Sequence, residues 1–422
     1  MLVSFNEWTE KRTVLSLGTN AGSRELPFQR WRHFKEAFAP ELVARAIAES
    51  EIPVHRCIDP FGGSGTTALA CQFLGIYPIT IEVNPYLADL IEAKLHTYDP
   101  DALVRDLGRV MRRVRKRSMA PPTLFRAAPP TFVEPGVNGR WIFDLSVASR
   151  VATILAAIED LTNECHQRLF RVLLGGVLVD VSNVLISGKG RRYRRGWQQN
   201  RRDPDQVDNL FNSAVHRAIL EIHRYSRRAC SAFELIRGDC REILHSDMRF
   251  DLAVFSPPYP NSFDYTDVYN VELWALGYLT DSKMNQSLRR STLCSHVQIG
   301  RNFPRSPLMS PILNRALRCL RKAPVRLWNP WIPSMIGAYF ADMLLVLSKI
   351  HASLVSGGVV WMVMGDSQYA DVHIRTADII AQLAPCAGYK ISRMEAFRSM
   401  HSSAQQGGRP ALNETLLVLL KS

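Results

Sequence analysis

The order of apolar and polar blocks in the first hundred residues predicts a parallel α/β sheet. A strand pattern at 54–59, a glycine-rich stretch at 60–67, a helical pattern at 68–74, a second strand at 78–81 and a second helix at 87–95 follow one another. Gly75 marks the end of the first helix. Strand, glycine turn, helix and strand in this order are typical of the start of a doubly wound sheet.

The middle of the chain predicts a mostly helical insertion into that sheet. Helical spacing occurs at 145–162, 165–187 and 207–228, and no strand pattern is clear between 98 and 230. Apolar strand patterns then return at 233–237, 252–255, 359–364, 389–396 and 414–420, with a helix at 337–354. We therefore expect 1–97 and 231–422 to form one sheet domain and 98–230 to be inserted in it. The basic, Pro- and Trp-rich stretch 278–335 predicts long surface loops.

Composition places the chain among soluble globular proteins with a polyanionic partner. It has 422 residues, of which 46% are hydrophobic, and a formal net charge of +13. There is no run of eighteen apolar residues and residues 1–13 lack a signal-peptide core, which favours a cytoplasmic protein without a membrane partner. The eight cysteines are scattered without a CxxC pair, and the histidines have no ligand spacing, so we expect no metal. The excess of positive charge favours nucleic acid as the partner.

The first motif is DPFGGSGTT at 59–67, between a predicted strand and a predicted helix. Glycines let the backbone approach a ligand closely, and a helix start offers unpaired N–H groups. Glu82 follows 23 residues after Asp59 at the end of the next strand, where a carboxylate can bind the two hydroxyls of a ribose. The pattern is neither GxGxxG nor a phosphate loop with Gly-Lys-Ser/Thr, so it indicates nucleoside binding.

The second motif is Ser256-Pro257-Pro258-Tyr259 at the carboxyl end of a predicted strand. The prolines stiffen the backbone and fix the preceding carbonyls. A hydroxyl and a carbonyl held in this way can accept hydrogen bonds from an –NH2 group, and the tyrosine ring can stack on a planar base. A rigid proline-rich strand exit without chemistry is the structural alternative for this motif taken alone.

With both motifs, the chain resembles the amino-methyltransferases of DNA, which make N4-methylcytosine and N6-methyladenine. In that family a DPFxGSGTT motif binds S-adenosylmethionine and (S/N/D)PPY is catalytic. The segment 38–42 is similar to the family's methionine-side cofactor segment, Glu82 to its ribose-binding acid, and Asp239 to the residue beside the adenine. The predicted cofactor-binding residues are Pro40, Asp59, Phe61, Gly62, Gly63, Gly65, Thr66, Glu82 and Asp239, and the predicted catalytic residues are Ser256, Pro257, Pro258 and Tyr259.

The resemblance implies a Rossmann-like S-adenosylmethionine-dependent methyltransferase fold, with a seven-stranded, mostly parallel sheet whose last strand is antiparallel. Residues 1–97 would then bind the cofactor, 231–422 would complete the catalytic domain, and 98–230 would be the candidate target-recognition region. The family's mechanism flips the target base out of double-stranded DNA and transfers the methyl group in line to its amine. In the members where this wording of the cofactor motif is commonest, the catalytic motif comes first. Here the cofactor motif comes first, and 188 residues separate Thr67 from Ser256.

In the family, a serine at the first position of the catalytic motif, here Ser256, tends to accompany cytosine N4 as the target. Asn or Asp at that position tends to accompany adenine N6. Three alternatives stay open at this point: an N6-adenine DNA enzyme, a tRNA guanine-N2 methyltransferase, and a non-catalytic DNA-binding module. C5-cytosine methylation would need a nucleophilic cysteine after a proline, and the pair Pro385-Cys386 lies away from both motifs. We interpret that pair as structural.

Basic clusters indicate where nucleic acid binds. The predicted contacts are Lys189, Arg191, Arg192, Arg194 and Arg195, with Tyr193 and Trp197 interleaved for stacking; a solvated loop is the alternative. The run from Arg105 to Arg117 has helical spacing and fits a solvated helix face, and Arg289, Arg290, Arg301 and Arg305 form a weaker candidate. The resemblance also suggests companion restriction or defence proteins, which the sequence does not identify.

Overall fold

A computed structural model describes the chain except for residues 1, 21, 23–24, 33–36, 118–124, 126, 188–189, 323–326 and 402–410. Its centre is a seven-stranded sheet in the order β10-β11-β7-β6-β1-β2-β5. The strands are β1 (Arg56–Asp59), β2 (Tyr77–Glu82), β5 (Glu234–Arg237), β6 (Phe250–Phe255), β7 (Leu354–Gly365), β10 (Tyr389–His401) and β11 (Ala411–Lys421). The last strand, β11, runs antiparallel to both of its neighbours and the other neighbouring pairs are parallel. The predicted seven-stranded α/β methyltransferase fold is confirmed.

The order of the strands decides where a ligand can bind. β1 lies between β2 and β6, so the chain leaves β1 towards one edge of the sheet and later returns to its other side. Open α/β sheets bind ligands beyond the carboxyl ends of the strands at such a switch point, because the connecting segments diverge there and leave a crevice. Both sequence motifs directly follow strands at this point, β1 and β6.

Two apolar clusters cover the two faces of the sheet. Because successive strand residues point to opposite faces, Cys57 packs in one cluster and Ile58 in the other. The first face carries α2 (Glu41–Ala48), α3 (Thr66–Leu74) and α4 (Pro85–Leu95), and the second carries α14 (Ile332–Ser353) and α15 (Thr376–Leu383). Among the described helices α14 alone is long and apolar enough to cross a membrane, and most of it is buried as a core helix.

The segment between β2 and β5 supplies four long helices: α5 (Pro100–Lys116), α6 (Leu145–Glu159), α7 (Glu164–Val181) and α8 (Asp205–Arg224). The close approach of α7 to α4 depends on Gly175, where a Cβ atom would lie 2.6 Å from the Tyr86 ring. The expectation of no strand in this segment was wrong. Val184–Ser187 (β3) and Gly190–Tyr193 (β4) form an antiparallel hairpin, whose short β-branched run had been assigned to the preceding helix.

The stretch 278–335 is more regular than the predicted surface loops. It contains α12 (Ser282–Arg290) and α13 (Pro311–Lys322). In α13 the apolar residues Leu313, Ala316, Leu317 and Leu320 are buried at helical spacing, with arginines on the opposite face. The interpretation of the whole stretch as irregular was therefore wrong, because the many arginines and prolines masked a short amphipathic helix.

Candidate active site

A cavity of about 370 Å³ opens at the carboxyl ends of β1, β2, β5 and β6. Eleven of the predicted site residues line it: Asp59, Phe61, Gly62, Gly63, Thr66, Glu82, Asp239, Ser256, Pro257, Pro258 and Tyr259. Pro40 and Gly65 do not. Pro40 is the residue before α2 and Phe38 reaches the wall instead, while Gly65 has φ +78° and forms the turn into α3. The tertiary structure thus brings the two distant motifs into one pocket.

The glycine-rich turn follows β1 with almost no free space behind it. Gly62 donates its N–H to the Ile81 carbonyl at 2.9 Å, and a Cβ atom at Gly62 would lie 2.5 Å from the Thr80 Cγ2 atom. Gly63 has φ +53°, a backbone conformation that residues with a side chain rarely adopt. The turn therefore lies flat on the neighbouring strand β2 and leaves the space above it to a ligand.

Glu82, at the end of β2, is buried beside this turn. Its Oε2 accepts the Gly63 N–H at 2.7 Å, and its Oε1 accepts the Asn84 N–H at 2.7 Å. Burial, together with the charge of Asp59, raises the pKa of Glu82 to about 7. Each carboxylate oxygen keeps acceptor capacity, so the group can bind a ligand hydroxyl on each side.

Asp59, at the end of β1, is the second buried acid of the pocket. Its Oδ1 accepts the Phe61 N–H at 2.9 Å, which shapes the first residues of the glycine turn. Burial raises the pKa of Asp59 to about 7. Two acids with raised pKa values therefore share one side of the cavity, where hydroxyl donors or a cationic ligand favour their charged forms.

Asp239 follows β5 after Gly238 and begins the short helix α9 (Cys240–Ile243). Its side chain accepts the Arg241 N–H at 2.9 Å, and its Oδ2 lies 2.6 Å from the Arg241 Nη2 atom. Arg241 in turn contacts Asp342 at 2.8 Å. Asp239 is thereby fixed at the cavity wall by an arginine that it shares with Asp342.

The SPPY turn continues β6 and is held from three directions. The Tyr259 backbone N–H donates to the Tyr265 hydroxyl at 3.3 Å, and the Tyr369 hydroxyl donates to the Pro260 carbonyl at 3.0 Å. The Ser256 hydroxyl donates to the Tyr259 oxygen at 3.4 Å. These contacts fix the turn before any substrate arrives, as a positioned acceptor for an amine requires.

Several side chains of this pocket are not among the residues predicted from the sequence. Tyr265, Tyr269, Arg398 and Glu414 all line the cavity. Tyr259 donates its hydroxyl hydrogen bond to Glu414 Oε1 at 3.1 Å. A charged residue in the otherwise apolar pattern of β11 was the available signal, because Glu414 interrupts a strand whose neighbours Leu416, Leu417 and Val418 are buried.

The basic hairpin β3–β4 lies beside the catalytic turn. Arg191 approaches Asp267 of α10 (Tyr265–Val268) at 3.6 Å, and two residues of α10 line the cavity. Arg194 donates to the carbonyls of Ser182 and Val179, so it braces the hairpin. Arg192 and Arg195 are exposed, and Tyr193 stacks on Trp197 at 4.9 Å. Lys189 lies outside the described residues.

Two other sequence observations fall outside this pocket. Cys386 lies in the short helical turn Ala384–Ala387 before β10 and does not line the cavity. Within the described ranges, no group of three or more His, Cys, Asp or Glu residues has a geometry that could hold a metal ion.

Comparison with known proteins finds similarity to DNA methyltransferases. A family model described as DNA methylase, of the N6/N4 type, matches residues 6–93. The Type II methyltransferase M.AvaI of Nostoc sp. is 24% identical over 97% of this chain and 89% of its own length. M.BsoBI of Geobacillus stearothermophilus is 24% identical over 97% of this chain and 88% of its own. The chain is therefore similar to DNA amino-methyltransferases, in residues 6–93 to the family model and along most of its length to the two relatives.

Similarity to solved structures is much weaker. The rRNA methyltransferase aviRa from Streptomyces viridochromogenes is 10% identical with a TM-score of 0.29, over 90% of this chain and 85% of its own. The glycopeptide N-methyltransferase MtfA complexed with S-adenosylmethionine is 7% identical with a TM-score of 0.29, over 92% of this chain and 90% of its own. The description of the fold rests on the strand order and strand directions of the chain itself.

Proposed function

We propose that this protein is a site-specific DNA methyltransferase that uses S-adenosylmethionine and modifies an exocyclic amine, with cytosine N4 as the favoured target. The observation that carries the proposal is the convergence of the glycine turn, Glu82 and the SPPY turn in one cavity. A nucleoside cofactor and a planar amine can then meet in a single pocket. The relatives named as Type II methyltransferases support the choice of DNA as substrate.

The residues present fit the cofactor. The flat glycine turn at Gly62 and Gly63 leaves room for a nucleoside, and the two free faces of the Glu82 carboxylate suit the ribose hydroxyls. Asp239 lies where the adenine would be expected from the order of the strands. When bound, S-adenosylmethionine supplies a sulfonium methyl group that an amine nitrogen can take without prior activation.

The protein's own contribution is to hold the target base. In the proposed complex the Ser256 hydroxyl and the Pro257 carbonyl accept hydrogen bonds from the exocyclic amine, which aims its lone pair into the cavity. Tyr259 stacks on the base, or frames its edge. Holding two reactants in line in this way contributes on the order of 7–11 kcal/mol to lowering a barrier. No covalent bond between the protein and the base is required.

The assignment of cytosine N4 as the target rests on the serine, Ser256, at the first position of the catalytic motif. Mass spectrometry of nucleosides from DNA methylated by the purified protein tests the assignment. We expect N4-methylcytosine. N6-methyladenine alone would overturn the base assignment and leave the reaction class intact, whereas methyl transfer to bulk tRNA and not to duplex DNA would overturn the proposed substrate.

The catalytic assignment has its own test. Ser256→Ala combined with Tyr259→Ala should abolish DNA methylation and leave binding of S-adenosylhomocysteine within about twofold, since neither side chain belongs to the glycine turn or the strand ends that hold the nucleoside. Ser246→Ala, at an exposed serine before β6, is the matched control. Unchanged methylation by the double variant would mean that the pocket is wrongly assigned, or that the protein is a binding module contaminated by another enzyme.

We further propose that residues 98–230 recognise the target sequence, with 1–97 and 231–422 forming the catalytic domain in the cytoplasm. The exposed Arg192 and Arg195 of the hairpin would contact phosphates beside the pocket, because the hairpin lies against α10 at the cavity edge. Arg194 is assigned a structural role in place of the predicted DNA contact.

A further inference from the structure

A buried carboxylate stands behind the SPPY turn. Glu414 of β11 is 2% exposed, and its register partner on β10 is Arg398. Arg398 donates from Nε to Oε2 at 2.6 Å and from Nη2 to Oε1 at 3.2 Å. On β7 the partner of Glu414 is Gly365, which has no side chain, and a Cβ atom at Gly18 would lie 2.5 Å from Oε2. The carboxylate is therefore held in one orientation, towards the catalytic turn.

A directed series of hydrogen bonds leads to this carboxylate. The Ser256 hydroxyl donates to the Tyr259 oxygen at 3.4 Å, and the Tyr259 hydroxyl donates to Glu414 Oε1 at 3.1 Å. Catalytic hydrogen bonds are often long in a free enzyme and shorten around substrate. Burial, together with the charge of Glu414, raises the pKa of Tyr259 well above its usual value. The phenol therefore stays protonated and acts as a donor.

Methylation of an amine leaves one proton to remove. The nitrogen forms a bond to the methyl carbon and still carries two hydrogens, so it is positively charged until one of them leaves. We propose that Glu414 is the positioning residue that accepts this proton, through Ser256 and Tyr259. The inference rests on the proposed function, since it requires an amine bound at Ser256.

The proton steps balance without another reactant. One N–H bond of the methylated amine breaks as its proton moves to the Ser256 oxygen, the Ser256 proton moves to the Tyr259 oxygen, and the Tyr259 proton moves to Glu414. The amine and the carboxyl group are both neutral at the end, and Ser256 and Tyr259 are unchanged. Among the described residues, the titratable and charged groups facing Glu414 are Arg398 from β10 and Tyr259 from the turn, with Tyr265 of α10 behind Tyr259.

Glu414→Gln tests this role, with Tyr259→Phe as a second variant that breaks the same path and keeps the ring. The matched control is Glu395→Gln, at a half-exposed acid of the same strand pair. We expect kcat to fall by about tenfold or more in both variants, as for loss of acid–base assistance. The KM for DNA and the binding of S-adenosylhomocysteine should change little. We expect the kcat of the wild type to fall at low pH and this fall to be absent in Glu414→Gln.

The outcomes separate a proton path from simple packing. An unchanged kcat in Glu414→Gln, or a lower kcat whose pH profile keeps the wild-type shape, would overturn the proposal. The losses of kcat caused by two substitutions on one proton path should not add. The double variant should therefore be no slower than the slower of the two single variants. A wild-type protein that methylates no DNA would instead refute the proposed function, before any variant is compared.

A long segment of the chain lacks acidic residues, and this independent observation supports a second inference. Residues 282–341 contain no Asp or Glu and ten basic residues: Lys283, Arg289, Arg290, Arg301, Arg305, Arg315, Arg318, Arg321, Lys322 and Arg326. Of the described ones, seven are exposed: Lys283, Arg290, Arg305, Arg315, Arg318, Arg321 and Lys322. A surface with charges of one sign attracts an oppositely charged polymer.

The segment starts at the mouth of the active-site cavity. Ser291, Thr292, Leu293 and Ser295 line the cavity, and Arg301 donates to the carbonyls of Thr292 and Leu293 at 2.9 and 3.1 Å. Further along, the Phe303 ring lies 6.3 Å from the Trp331 ring, and a Cβ atom at Gly337 would lie 2.9 Å from the Ser306 Cβ atom. The loop after Arg301 thus packs on the first turns of α14.

Large apolar side chains protrude from this basic surface. Leu308 is 76% exposed, Trp331 60%, Trp328 52% and Met309 50%. We name these four residues the apolar ridge. A second copy of the chain is a poor occupant, because two such positively charged faces repel each other. Duplex DNA fits both features, since its phosphates match the arginines and its bases and sugars accept apolar side chains.

We infer that the apolar ridge and the surrounding arginines bind duplex DNA, with the ridge packed against bases and sugars near the flipped nucleotide. Helices α13 and α14 belong to the apolar cluster of the second sheet face and the hairpin β3–β4 to that of the first, so the ridge would contact a different part of the DNA from the hairpin. This deepens the proposed function and rests on it. The DNA on one side of the flipped nucleotide would then be bound by a part of the chain outside residues 98–230.

Fluorescence anisotropy with a labelled random-sequence duplex tests the charge. Arg315→Ala with Arg318→Ala should weaken binding several-fold and lower the slope of log Kd against log salt by about one per lost phosphate contact. Lys390→Ala is the control, because Lys390 is an exposed lysine at the start of β10, outside residues 282–341. A slope equal to that of the wild type would overturn the assignment.

The ridge itself is tested by the double variant Trp331→Ala with Leu308→Ala. A separate ridge variant, Met309→Ala, has Met394→Ala on β10 as its matched control. We expect the ridge variants to raise the KM for DNA about tenfold, while binding of S-adenosylhomocysteine stays unchanged. Normal DNA binding together with a shift from dimer to monomer in sedimentation would show a self-association face and overturn the inference. DNA binding by the wild type without methylation would count against the proposed function alone.

Discussion

Glu82 accepts the backbone N–H of Gly63 at 2.7 Å, and this contact joins the end of β2 to the glycine turn that follows β1. The two residues are 19 apart in sequence, and the hydrogen bond fixes the turn and the carboxylate relative to each other. A ligand that binds the carboxylate therefore meets a turn that is already in place. This relationship makes several consequences measurable.

Glu82→Gln should weaken binding of S-adenosylhomocysteine by about 10- to 100-fold. The amide keeps one acceptor oxygen but loses the charge, and hydrogen bonds to a charged group contribute about 1.5–3 kcal/mol. Isothermal titration calorimetry measures the change. Glu51→Gln, at an exposed acid after α2, is the matched control, and equal affinities for the two variants would count against the ribose-binding role.

Cofactor affinity should rise with pH between about pH 6 and pH 8. The pKa values of Asp59 and Glu82 are each raised to about 7, so both groups are largely protonated at pH 6 and ionised at pH 8. Donors and cations on the ligand favour the ionised forms, so a fall in pH costs affinity, by up to tenfold per unit for each group. Calorimetry of S-adenosylmethionine at several pH values tests this, and a flat profile would contradict it. Glu82→Gln should flatten part of the slope.

Gly62→Ala should reduce both stability and cofactor binding. The new methyl group would lie 2.5 Å from Thr80 Cγ2 and 2.8 Å from Ile91 Cδ1, both on buried side chains that cannot move freely. Overpacking of this kind costs about 1–3 kcal/mol of unfolding free energy. Urea denaturation and calorimetry measure the two effects. Gly108→Ala on α5, where the added Cβ meets only the Arg112 guanidinium at 3.4 Å, should leave both unchanged or raise stability slightly.

Lys94→Met should loosen the glycine turn from behind. Lys94 is 1% exposed, and its Nζ donates to the Ser64 carbonyl at 2.7 Å and to Gln29 Oε1 at 3.3 Å. Removing the donor leaves the Ser64 carbonyl unsatisfied, so binding of S-adenosylhomocysteine should weaken about tenfold. Lys390→Met, at an exposed lysine, should have no effect.

The same lysine gives stability a pH dependence. Burial lowers the pKa of Lys94 from 10.5 to about 7, so between pH 7 and 10.5 the unfolded chain binds the extra proton and the free energy of unfolding rises with pH. Urea denaturation at pH 7 and pH 9 should show a larger rise for the wild type than for Lys94→Met. Equal pH dependence in the two proteins would mean that Lys94 is not buried in this way.

Local sequence predicted the sheet strands and the two motifs well. Apolar runs between glycine and proline turns indicated β1, β2, β6 and β7, because a strand buried on both faces needs continuous apolar residues. The hairpin β3–β4 and helix α13 were not predicted. Their apolar residues are few and are mixed with arginines, so the periodic signal was weak.

The sequence by itself determined the class of fold, the family resemblance and the residues of the two motifs, since these depend on local turn chemistry and on the order of elements. Only the tertiary structure decided that Glu414 and Arg398 reach the SPPY turn and that Pro40 does not line the cavity. Glu414 lies 155 residues after Tyr259, and its approach depends on β11 being inserted antiparallel beside β7. Strand pairing over such a distance depends on the packing of the whole sheet, which local residue patterns do not specify.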